Sequence, residues 1–178
     1  MTADRTTQET ILERIKERLA ARIPQFQDGA LFYSDDPNPL KIPAGDVLCC
    51  LTPGTGNYDQ NHFAGGGEDT LTEDFNLLVT LYLRTHLDRT DQLEAAMMGI
   101  EKGLISRYKQ RLLAALFKDE WTPGGVDATG TAFDLTRNMI SPVSCTGPTA
   151  YVSAAGATYV RMTLAVSITF DWDLAAEE

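Results

Sequence analysis

From Val160 to Leu174 every second residue is apolar: Val160, Met162, Leu164, Val166, Ile168, Phe170, Trp172 and Leu174, with Arg161, Thr163, Ala165, Ser167, Thr169, Asp171 and Asp173 between them. Side chains alternate faces along a strand, so this pattern predicts one long strand with a buried face and a wet face. Fully extended it runs about 50 Å at roughly 3.4 Å per residue. A compact domain of this chain length is only about 40 Å across. The strand therefore bends, or projects beyond its own core, and unpaired backbone on a projecting strand is a template for another chain. Phe75, Leu77, Val79, Leu81 and Leu83 repeat the alternation and predict a second long strand.

Elsewhere the period changes. Thr6-Thr7-Gln8-Glu9 has the form of a capping box, and Ile11, Ile15, Leu19 and Ile23 recur behind it at four-residue spacing, predicting an amphipathic helix that ends before Pro24. Two short apolar runs, Ala30 to Tyr33 and Val47 to Leu51, read as strands. Residues 53–74 hold Gly54, Gly56, Gly65, Gly66 and Gly67 among Asn57, Asp59, Asn61, Glu68 and Asp69, which predicts a long flexible loop suited to meeting a partner. After Asp88 a helical stripe of Leu93, Met97, Ile100, Leu104 and Tyr108 appears, with Gly99 and Gly103 on a small-residue face where another backbone can approach. The helical reading continues to Phe117, and weaker strands follow around Phe133 to Leu135 and Ile140 to Cys145. The chain thus reads as a single domain over residues 1–178, of α+β class: a mostly antiparallel sheet of long strands with amphipathic helices on one face.

Composition narrows the function. Lys plus Arg number 15 and Asp plus Glu 25, a net charge of −10, which argues against a grip on nucleic acid that works by displacing counterions from phosphates. A basic stretch, Arg84, Arg89, Lys102, Arg107, Lys109, Arg111 and Lys118, reads as a solvated helix face. No run of eighteen apolar residues is present, and the opening Met1-Thr2-Ala3-Asp4-Arg5 lacks the layout of an export signal, so neither a membrane span nor secretion is expected. Three cysteines, with Cys49 and Cys50 adjacent, make a poor disulfide framework and fit a reducing compartment.

Candidate chemistry is sparse. His62 and His86 form no metal-binding spacing, and no C-x-x-C occurs, so neither a metal nor another cofactor is expected. The Gly65-Gly66-Gly67-Glu68-Asp69 stretch lacks the Lys of a phosphate cradle, and its acids repel phosphate. Asp171 and Asp173 lie one pleat apart on a wet face, where they keep it hydrated or line an acidic surface. Cys145 with His86 supplies a nucleophile and base in a second reading, a small cytoplasmic enzyme or ligand-binding domain lidded by 53–74. No catalytic residue is assigned on the leading reading.

Taken together, the amphipathic first helix, the strand Phe75-Asn76-Leu77-Leu78-Val79-Thr80-Leu81-Tyr82-Leu83, the helix opening Asp91-Gln92-Leu93-Glu94 and the closing strand Tyr159 to Phe170 resemble phage tail-terminator proteins in layout and strand style. The resemblance implies a non-enzymatic virion protein of tail and neck, assembled in the host cytoplasm: a ring-forming α+β subunit, a hexamer that caps the tail tube and stops its polymerisation. The implied partners are other copies of the chain, the tail-tube protein and a neck or head-closure protein, with genomic DNA passing an acidic channel unbound. Another head-tail joining or tail-tube protein is the near alternative. The expected contacts are Val160, Arg161, Thr163, Asp171, Trp172 and Asp173 on the last strand, Gly99 and Gly103 on the helix, and the 53–74 loop.

Overall fold

A computed structural model describes residues 7–36, 38–39, 41–58, 70–85, 104–117 and 140–173. Among these residues two α-helices, α1 (Thr7–Arg22) and α2 (Leu104–Phe117), accompany five strands: β1 (Leu31–Tyr33), β2 (Val47–Tyr58), β3 (Thr70–Arg84), β4 (Ile140–Val152) and β5 (Thr158–Asp173). The strands form one sheet in the order β1-β2-β3-β5-β4. The α+β class holds. The sheet is mixed, however, because β1 runs parallel to β2 while the other three pairings are antiparallel. Parallel neighbours need a crossover between them, and the described residues of that connection, 34–36, 38–39 and 41–46, run as an irregular strap.

The alternation of β3 and β5 builds the core. Phe75, Leu77, Val79, Leu81 and Leu83 share a face with Val160, Met162, Leu164, Val166 and Ile168, all of them buried. Onto this face α1 lays Ile11, Ile15 and Leu19, and α2 lays Ile105, Tyr108, Leu112 and Leu116. Each such side chain, moved from water to the interior, contributes roughly 1.5–3 kcal/mol. Helix α1 stops where Pro24 removes a donor: the Ile23 amide still reaches the Leu19 carbonyl at 2.9 Å, and a 3-10 turn over Pro24–Phe26 follows. The Arg18 side chain ties α1 to α2 by donating from Nε to the Ala115 carbonyl at 2.5 Å. Of the basic stretch, Arg107, Lys109 and Arg111 are exposed on α2, whereas Arg84 ends strand β3 and is not helical, and Arg89, Lys102 and Lys118 lie outside the described residues.

The loop expected over 53–74 is shorter at both ends. Strand β2 continues to Tyr58 and β3 begins at Thr70, with Gly56 opposite Phe75, Asn57 opposite Asp74 and Tyr58 opposite Glu73. A bulge between Pro53 and Gly56 absorbs the irregular residues. The glycines there serve a strand. A Cβ on Gly54 would stand 2.8 Å from the Asn76 carbonyl oxygen, and one on Gly56 would overlap the carboxylate of Glu73, which is itself buried. The remainder of that loop (Asp59, Gly65, Gly66, Gly67, Glu68, Asp69), the helix face of Gly99 and Gly103, the capping Thr6 and the strand expected near Phe133 lie outside the described residues.

Candidate functional site

The alternation predicts a β5 that bends or projects beyond its own core with unpaired backbone, and the sheet order shows it paired on both sides. It is an interior strand, paired with β3 along its whole length from Tyr159↔Arg84 to Asp173↔Thr70, and with β4 from Thr158 to Ile168. Its excess length is thus matched by an equally long neighbour. Val160 is wholly buried in the helix-side core and is no surface contact. Arg161 and Thr163, half-buried, lie on the opposite face, where the Thr163 hydroxyl meets that of Thr80 at 3.1 Å. Beyond Ile168, Asp171, Trp172 and Asp173 pair with Thr72, Leu71 and Thr70. Among the described residues no third strand flanks those last three pairs, so β3 and β5 run on there as a two-stranded ribbon.

Among the described residues β4 and β1 are the two edge strands of the sheet, and β4 is the long one. Ten of its thirteen residues are exposed, with Val143 at 59% and Val152 at 64%. None of the thirteen is charged, whereas edge strands are commonly guarded by charges. Two register shifts, between Pro142 and Ser144 and between Thr146 and Thr149, break its ladder with β5. Gly147 at the second shift has φ +99, and a Cβ there would sit 2.7 Å from the Arg161 carbonyl oxygen. The outward backbone groups can be assigned. Because the Thr85 amide donates to the Thr158 carbonyl at 2.9 Å, Thr158 directs its polar groups toward β3, and its β4 partner Val152 directs its own away from the sheet. Period two gives Ala150 the same orientation, and Pro142 also falls on the outward set, where a missing N–H costs the ladder nothing. Cys145 is free and exposed on this strand. His86, its imagined base, lies outside the described residues, as does His62.

At its Tyr82–Tyr159 end the second face of the sheet is covered by the strap. Leu48, Cys50, Tyr82 and Tyr159 form a small buried cluster there, with Phe32, Ile42 and Tyr151 packed against it. The rings of Tyr151 and Tyr159 meet Tyr82 edge-on, with centroids 5.3 and 6.2 Å away. Three latches hold the strap down: the Tyr151 hydroxyl donates to the Pro39 carbonyl, the Arg161 guanidinium donates to Asn38 Oδ1, and the Tyr159 hydroxyl donates to the Gly45 carbonyl at 3.4 Å. Arg161 also stacks 5.5 Å from the centre of the Tyr151 ring. The Tyr82 hydroxyl is buried with no hydrogen-bond partner among the described residues, and burial pushes its ionisation well above the usual phenol range. Burial likewise raises the thiols of Cys49 and Cys50, the latter partly offset by its contact with Thr52 Oγ1 at 3.6 Å. Both therefore behave as core residues. None of the tyrosine cluster was singled out from sequence, and its one signal is the placing of Tyr82 and Tyr159 at positions the alternation assigns to the wet face.

Between the strap and the β4–β5 turn lies a cleft of about 520 Å³, walled by Lys41, Ile42, Arg84, Ser153, Ala155 and Tyr159. Among the described residues no group of three or more His, Cys, Asp or Glu side chains is placed to hold a metal ion, and no helix is long and apolar enough to cross a membrane. No protein-family model matches the chain, and a comparison with curated proteins gives no match either.

Proposed function

We propose that this chain is a structural virion subunit of the tail-terminator kind, one that joins copies of itself into a hexameric ring, caps a tail tube and meets the neck. The observation that carries the reading is β4: a long edge strand, exposed and without charge, on a chain of net charge −10. Like-charged copies repel each other where their acids face. An uncharged edge is where such copies approach at least electrostatic cost. The ribbon end with Asp171, Trp172 and Asp173 supports the same reading, since a two-stranded ribbon is marginal alone and gains by packing on a neighbour. A subunit that uses one surface at β4 and a different one at the ribbon end makes head-to-tail contacts, which close into a ring or extend as a filament.

Negative-stain imaging of the purified chain, alone and mixed with tail tubes, tests the proposal. Discrete short rings, and tubes capped at one end, are the expected result. Open filaments from the chain alone would transfer the assignment to a tube protein. Strictly monomeric particles in both preparations would overturn it.

A further inference from the structure

The cleft beside the β4–β5 turn has the opposite charge to the molecule that carries it. Lys41 and Arg84 stand on its walls, Ile42, Ala155 and Tyr159 give it apolar surface, and Ser153 brings a hydroxyl. Its volume of about 520 Å³ falls among those of sites that hold a small ligand, roughly 300–1,000 Å³, and accommodates a few residues of extended chain. Among the described residues Arg84 pairs with one acid, Asp46 at 3.9 Å, and the two side chains are about half and three-quarters exposed. Such a loose pair is worth little and leaves most of the guanidinium donors open to an incoming carboxylate.

The complementary segment is in the same sequence. Asp171-Trp172-Asp173-Leu174-Ala175-Ala176-Glu177-Glu178 carries four acids and no base, with apolar residues between them. We infer that the cleft of one copy receives this acidic segment from the next copy, Lys41 and Arg84 binding the carboxylates of Glu177 and Glu178 while the alanines lie on the apolar wall. The inference rests on the assembly reading above and names one of its contacts.

Reach requires that the donor be a second copy. The cleft lies at the Tyr159 end of β5, and the acidic segment leaves from the Asp173 end. Those ends are separated by about 46 Å of strand at roughly 3.3 Å per residue. Residues 174–178 span at most about 17 Å when fully extended. The segment therefore falls short of its own cleft but can enter that of a neighbour whose strap lies against the ribbon end. The contact is head-to-tail, as a ring requires.

Reciprocal charge reversal in the full chain, read by sedimentation, tests this. Lys41→Glu with Arg84→Glu is expected to weaken self-association about tenfold, and Glu177→Lys with Glu178→Lys to weaken it by a similar factor, because each places like charges face to face. Combining all four in one chain restores association. Asp46→Asn acts in the other direction and tightens it, by freeing Arg84. Lys41→Glu alone, at an exposed position, gives a smaller loss at an unchanged melting temperature and guards against misfolding as the cause. A discrete oligomer indifferent to all of these changes, or a fourfold variant no better than the pairs, would overturn the cleft assignment and leave the assembly reading standing. A monomeric unsubstituted chain would overturn both.

Discussion

Strands β4 and β5 lie side by side, are nearly equal in length and differ in almost everything else. Along β5 the helix-side residues Val160, Met162, Leu164, Val166 and Ile168 are all buried. Along β4 their cross-strand partners Ala150, Cys145 and Pro142 are exposed, and only Ile140, near α2, is covered. Two strands on one face of one sheet thus have opposite relations to solvent, because the helices cover the centre of the sheet and, among the described residues, stop short of this edge. The lesson is that length and alternation identify the strand that organises the core, whereas the strand available to a partner is the one whose pattern is irregular.

The contrast can be broken at its sharpest point. Leu164 and Cys145 face each other on the same side of the sheet, so truncating each should cost very different amounts. Leu164→Ala should lower unfolding free energy by about 2–5 kcal/mol, the usual loss for a core leucine. Cys145→Ala should stay within about 0.5 kcal/mol. Urea titrations of the two variants compare them directly, and equal losses would contradict the assigned burial. Gly147→Ala tests whether the exposed strand is nonetheless pinned to its neighbour. At φ +99, with the Arg161 carbonyl 2.7 Å from the new Cβ, it should cost about 1–3 kcal/mol in the same titration.

A smaller effect is expected where β4 touches the strap. Tyr151→Phe removes the hydroxyl that donates to the Pro39 carbonyl and should cost about 0.5–1.5 kcal/mol, together with faster hydrogen exchange along residues 41–45. Thiol chemistry separates the strands with no loss of stability. In the unassembled native chain only Cys145 should react quickly with a thiol reagent, since Cys49 and Cys50 are buried with their ionisation pushed up. In denaturant all three should react. The sign of the linkage follows: the folded state holds those two thiol protons more tightly than the unfolded state, so their contribution is complete below the ordinary thiol value of 9.0 and declines as pH rises beyond it. Urea midpoints measured across that range should fall toward high pH in the native chain and fall less when Cys49 is replaced by alanine.

Much of the core was legible because it obeys simple periods. Ile11, Ile15, Leu19 and Ile23 repeat every turn, and β3 and β5 repeat every second residue, since one face of each must leave water. The β4 edge was not legible for the reverse reason: with most of both faces of β4 in solvent, little imposes a period on Ile140 to Val152, and two bulges and two prolines interrupt what remains. The glycines at 54 and 56 looked like loop residues but are there because β3 passes too close for a side chain. Sequence offers Val160 as a contact, yet it is buried in the core, because sequence shows that a strand is long without showing which strand flanks it. The strap and its tyrosines were hidden because Tyr82 and Tyr159 occupy nominally wet positions that only the crossover between β1 and β2 covers.

On the proposed function, the uncharged edge of β4 is a seam between copies. Native mass measurement of the purified chain beside Val143→Lys with Val152→Lys tests it most directly, because both positions are exposed and each lysine should change folding stability by less than about 0.5 kcal/mol. One closed oligomer of fixed mass is expected for the unsubstituted chain, and monomers at an unchanged melting temperature for the lysine variant. A monomer at every concentration, or an oligomer that tolerates both lysines, would contradict it.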